Sequence, residues 1–175
     1  MKNRITLSGV IALCALVACM TTVFGQDDKS KRPSPPAVAS KKAGAVTITI
    51  NYSQASVKGR KIFGGFEAYG KVWRAGANEN TTFEIDKDAK IDGKPLAAGK
   101  YGFFVIPNEK EWTIIFNKVS NEWGAFAYDE KQDALRITAK PTKTPALVEK
   151  LVYTIDANGT VTLAWENSQV SFQVK

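Results

Sequence analysis

Apolar side chains recur at every second position through much of this chain, and that period fits strands far better than helices. In 46–52, Val46, Ile48, Ile50 and Tyr52 alternate with Thr47, Thr49 and Asn51. One face of such a segment is apolar and the other polar, the pattern of a half-buried strand. Val161, Leu163 and Trp165 repeat it, as do Val170, Phe172 and Val174. Segments 101–106 and 112–116 are apolar on both faces, which predicts an antiparallel pair of central strands covered on each side. Further strands are expected at 71–74, 81–85, 89–91, 134–140 and 151–155, and a short turn of helix at 142–148. Asn158-Gly159 and Asp92-Gly93 read as tight hairpin turns, because both residue types accept positive φ. About nine short strands with frequent turns predict an all-β chain, a single antiparallel β-sandwich or jelly-roll-like domain.

The first 25 residues have a different character. Lys2 and Arg4 precede an apolar stretch from Ile5 to Val17, followed by small residues. This is the layout of a secretory signal peptide, 1–25, with Val23 and Gly25 placed for cleavage before Gln26. Leu16-Val17-Ala18-Cys19 also reads as a lipobox, in which 1–18 is removed and Cys19 is acylated, and multiple acyl chains anchor a protein stably. Either outcome predicts an exported protein: periplasmic or secreted, or a membrane-anchored lipoprotein. Residues 26–43, rich in Pro, Ser, Lys and Ala and without an aromatic, are expected to be a disordered linker. Residues 44–175 then form one domain of ordinary size.

The net charge of +7 is unevenly placed. The leader and the 26–43 segment hold most of it, while 44–175 is nearly balanced. A nucleic-acid binder concentrates charge on its folded domain, so no nucleic-acid partner is expected. The chain has no histidine, and both cysteines, Cys14 and Cys19, lie in the leader. Catalysis or metal ligation by His or Cys is thereby excluded from the domain, and no metal, cofactor or catalytic residue is assigned. Asp86-Lys87-Asp88 lacks the remaining oxygens of a calcium loop, and the glycines at 64, 65, 70 and 76 do not form a phosphate loop.

Polar residues that invite a role cluster in two stretches, 52–65 and 69–81. Both stretches resemble the bacterial family called domain of unknown function 2911. So do Asp92-Gly93-Lys94-Pro95-Leu96 with Ala97 to Tyr101, Glu111-Trp112-Thr113-Ile114-Ile115-Phe116-Asn117, and Trp123-Gly124-Ala125-Phe126-Ala127-Tyr128-Asp129. The resemblance covers essentially all of the chain past Ala45. It departs at Gln54-Ala55, where the family usually has Arg-Pro, and at Ala75, where it usually has Thr. It implies an exported bacterial β-protein and no particular activity.

From the residues themselves, Lys58, Arg60, Tyr69, Arg74, Asn78 and Glu79 are the candidate ligand-binding set. If Trp73 is core, strand alternation points Arg74 outward, toward the 75–80 loop, where Asn78 or Glu79 can meet it. The alternative is structural: an Arg–carboxylate fork that pins the loop. The expected function is a non-catalytic envelope protein whose 53–80 loops bind a small ligand, a glycan or a partner protein. Contact with a membrane is expected only through the lipid anchor. The rivals are a carboxylate-dependent glycan hydrolase, using a pair drawn from Glu67, Glu79, Glu122, Asp129 and Glu130, and a purely structural envelope scaffold component.

Overall fold

The alternating segments pair antiparallel, because an apolar stripe on one strand is buried only when its neighbours present theirs to the same side. The computed structural model describes residues 28–175; the signal-peptide and Cys19 readings lie outside the described residues. Ten strands follow in chain order: β1 (Pro36–Ala43), β2 (Val46–Ser53), β3 (Thr81–Ile85), β4 (Ala89–Ile91), β5 (Lys94–Leu96), β6 (Gly99–Ile106), β7 (Trp112–Asn117), β8 (Asp133–Ala139), β9 (Thr142–Ile155) and β10 (Thr160–Gln173). The main sheet has the order β1-β2-β3-β6-β7-β8. The long β9-β10 hairpin and the short β4-β5 hairpin make the second layer. The two hairpins join where Ile91 bridges Val174.

The core lies between these layers. Phe83, Phe103 and Phe116, from three adjacent strands of the main sheet, meet Phe172 of β10, with ring centroids 5.8 to 6.0 Å from it. A second cluster stacks Trp73 on Trp165 at 5.6 Å and sets Phe63 against Trp112 at 4.4 Å. The outer face of β6 and β7 is also covered. Phe104 and Ile115 are buried there, and Phe104 packs against Tyr128 of the loop that follows β7.

Three expectations need correcting. Residues 36–43 are not disordered linker but strand β1, paired with β2 from Pro36↔Ser53 to Ala43↔Val46. Ala37 and Ala39 pack against the core, while Lys41 and Lys42 sit on this edge strand, where charge deters further pairing. Residues 142–148 are not helical: they begin β9. The Pro145 ring that would break a helix is tolerated on an edge strand. Residues 71–74 are not a strand, since only Trp73 pairs, through a bridge to Val105. The Asn158-Gly159 hairpin forms, but as a wider turn in which Gly159 alone of the two has positive φ (85°). The Asp156 carboxylate accepts the Asn158 and Thr160 N–H groups at 2.8 and 2.9 Å and closes that turn.

Candidate functional site

The site is built on an interruption of the main sheet. Thr81 pairs with Phe103, and Trp73 pairs with Val105 two residues further along β6. Residues 74–80 are therefore an excursion from one line of chain that β6 holds at both ends. The Thr81 N–H and hydroxyl close its root by donating to the Arg74 and Ala75 carbonyls at 3.3 and 3.0 Å. The Tyr153 hydroxyl reaches across from β9 to the same Ala75 carbonyl at 2.7 Å, and burial pushes this phenol well above its usual pKa. Ala75 and Asn78 take φ of 53° and 59°, a left-handed conformation that costs non-glycine residues about 1–2 kcal/mol. Arg74 sits at the base of this pinned excursion.

A second loop, 60–70, folds tightly on itself. The Glu67 N–H donates to the Ile62 carbonyl at 2.9 Å, and the Glu67 carbonyl accepts the Gly64 N–H at 2.9 Å. Ile62 and Phe63 anchor it in the core. A third loop, 118–129, lies alongside the excursion: Glu79 bridges Trp123, and the Asn80 N–H donates to the Glu122 carbonyl at 3.1 Å. It brings Gly124 under the arginine, since a Cβ built there would stand 3.5 Å from Arg74 Nη1 and 3.1 Å from the Phe126 ring.

These loops surround Arg74 with groups that a purely structural arginine does not need. Its side chain makes no hydrogen bond or ion pair among the described residues, and its Nε is buried without an acceptor. Glu67 is the carboxylate that feels it. Burial raises Glu67 to about pKa 7, against the opposing pull of Arg74 and then Arg60, yet no ion pair joins Glu67 to either. Large apolar side chains stand open on the two loops that approach this pair: Phe66 and Trp123 are each 57% exposed and Phe126 89%. The Arg60 guanidinium lies 4.0 Å from the centroid of the Phe66 ring.

The structure divides the sequence-predicted set. Arg60 and Arg74 belong to this cluster, both acting on Glu67, while Tyr69 only shares the 60–70 loop. Arg60 is held by its own loop, donating to the Val57 and Ser56 carbonyls at 2.9 and 2.6 Å, and the Tyr69 ring lies over Gly64. Lys58 is exposed, and its backbone N–H donates to Glu149 of β9 at 3.0 Å. Asn78 and Glu79 do not meet Arg74. They secure the arm ahead of β1: Asn78 donates to the Ser34 carbonyl at 2.9 Å, and Glu79 pairs with Lys29 at 2.8 Å and Arg32 at 3.1 Å. The Lys29 hydrogen bond is the main cause of a Glu79 pKa lowered to about 2. Glu67, Phe66, Trp123 and Phe126 were not selected from the sequence as binding residues. Aromatics within glycine-containing segments that lack strand alternation were the available signal.

A second polar cluster shows what a satisfied arginine looks like in this fold. Arg136 donates to Asp133, the Tyr128 hydroxyl and Glu130, and Tyr128 donates to Asp133 at 2.8 Å. Burial and Asp133 push the Tyr128 phenol up to about 12. The open groove beside it, about 540 Å³ and lined by Lys94, Glu130, Asp133 and Arg136 among others, is bounded by groups already engaged with one another. Among the described residues no three His, Cys, Asp or Glu side chains gather to hold a metal.

A family model described as "Protein of unknown function (DUF2911)" matches residues 34–174. Its start coincides with the arm and β1 rather than with the end of the expected linker. No curated protein and no solved structure matches the chain.

Proposed function

The chain belongs to the DUF2911 family of proteins of unknown function, and from that premise we propose that it is an exported, non-catalytic binding protein of the bacterial cell envelope. Its ligand, a small molecule or glycan, is held between loops 60–70 and 118–129 over Arg74. The observation that carries this reading is an arginine without a side-chain partner, approached by two loops that carry exposed aromatic side chains. Small-ligand sites combine a few unsatisfied polar groups with an apolar lining in this way, and a buried donor left unpaired asks for an explanation. Export is supported by the basic, then apolar, leader. A glycosidase instead needs two carboxyls set across a cleft, whereas the charges acting on Glu67 are arginines.

The test is binding to an array of bacterial surface glycans. Trp123→Ala combined with Phe126→Ala is expected to weaken wild-type binding at least tenfold while the melting temperature moves by less than about 2 °C, because exposed side chains contribute little to stability. Unchanged binding in the double variant contradicts the proposed site.

A further inference from the structure

We propose that the ligand is an acidic sugar whose anionic group docks on the Arg74 guanidinium while its ring lies against Trp123 and Phe126. This rests on the binding reading above and adds the chemical class of the ligand.

The arginine supplies the first half of the argument. A guanidinium offers five N–H donors in a planar fork that matches a carboxylate or phosphate. Here Nε is buried and has no acceptor, so this one donor is already desolvated and an incoming anion engages the guanidinium through its terminal nitrogens. Arg136 has its acceptors built in. Arg74 lacks them, although Glu67 is close enough for its charge to be felt.

The aromatics supply the second half. Trp123 and Phe126 are exposed and lie on the 118–129 loop, which the Glu79–Trp123 bridge fixes and whose Gly124 brings the Phe126 ring toward the arginine. Aromatic faces carry large apolar area with few rotamers, which suits the C–H face of a sugar ring.

The third element is the proton. The charged groups acting on Glu67 are Arg74, from the root of the excursion, and Arg60, from its own loop. The 118–129 loop brings the uncharged Gly124 and Phe126 to Arg74. Ionised, Glu67 offsets the arginine's charge; protonated, it leaves that charge to the ligand and can donate a hydrogen bond. With Glu67 titrating near pH 7, the affinity for an anion rises as pH falls from 8 to 5.5. The carboxyl of a sugar acid stays ionised across that interval.

The experiment follows the Arg74 side-chain Nε–Hε and Trp123 indole NMR signals of the mature protein while glucuronate, glucose or acetate is added at pH 5.5 and 8. Glucuronate is expected to shift both signals and to bind about tenfold more tightly at pH 5.5. Glucose is expected to leave Arg74 unmoved, and acetate to bind at least fivefold more weakly than glucuronate. In Glu67→Gln the pH dependence is expected to disappear. A Trp123 response to glucose with Arg74 silent overturns the acidic class and leaves the binding site standing. Equal affinity for acetate and glucuronate overturns the sugar. Silence of both signals toward all three compounds overturns this inference together with the function it rests on.

Discussion

Replacing Phe103 with alanine is expected to lower the unfolding free energy by about 3–5 kcal/mol, the range for truncating a buried aromatic to a cavity. Phe103 is fully buried at the centre of the interlayer core. Its ring centroid lies 5.5 Å from Phe116 and 6.0 Å from each of Phe83, Tyr153 and Phe172. Those neighbours come from β3, β7, β9 and β10, so the side chain joins both layers. They are held by strands on every side and have little room to collapse into the space. Urea denaturation of Phe103→Ala beside Phe126→Ala gives the comparison. The second removes an aromatic that is 89% exposed and is expected to change stability by no more than about 0.5 kcal/mol. A loss under about 1 kcal/mol for Phe103→Ala contradicts the packing of the two layers described above.

The second large effect is a pH-dependent stability that Glu67→Gln removes. The folded-state pKa of Glu67 is raised from 4.5 to about 7, with burial the dominant cause. Its contribution to stability is therefore fully present below the unfolded value. It declines as pH rises, because the unfolded chain has given up the proton that the folded state still holds, and it is gone once pH passes the folded value. The full shift corresponds to about 3 kcal/mol; partial access of water to this half-buried carboxyl reduces the expected difference to about 1–2 kcal/mol. The chain has no histidine, the side chain that ordinarily titrates in this interval. The fall in stability between pH 5 and 8 should therefore belong largely to this one carboxyl. Chemical denaturation at those two values is expected to show the decline in the wild-type protein and a flatter profile in Glu67→Gln, which becomes the more stable of the two at pH 8. Parallel profiles would remove Glu67 as the responsible group.

The strands that could be read from the sequence were those with a one-sided apolar period and the two central runs, β6 and β7, that are apolar on both faces. Val46, Ile48, Ile50 and Tyr52 announce β2 because every second side chain enters the core. β1 gave no such announcement. Its alanines offer little apolar area and its lysines face solvent, so composition resembles a linker; it is a strand because β2 has an edge for it to join. The first half of β9 is exposed at most positions. It stays extended through pairing with a bulged β10, a long-range partnership that leaves no local period. The same limit applied at the site. The outward placement of Arg74 followed from a buried Trp73. The partners of Glu79 did not, because Lys29 and Arg32 lie 50 and 47 residues earlier, in a segment whose composition suggests no docking. The approach of Glu67 and Gly124 to Arg74 likewise depends on how three loops close over the sheet.

If Arg74 is kept for a ligand, the fold does without its guanidinium, and the thermal unfolding of Arg74→Met at pH 5.5 bears on this directly. Methionine keeps apolar length in place of the aliphatic stem, and at that pH Glu67 is protonated in both proteins. The expected result is a melting temperature equal to or above that of the wild type, since a buried donor without an acceptor is removed, together with loss of glucuronate binding. A fall of more than about 8 °C, on the order of 2 kcal/mol for a domain of this size, would show that the guanidinium holds the loops together and would contradict a binding role for it.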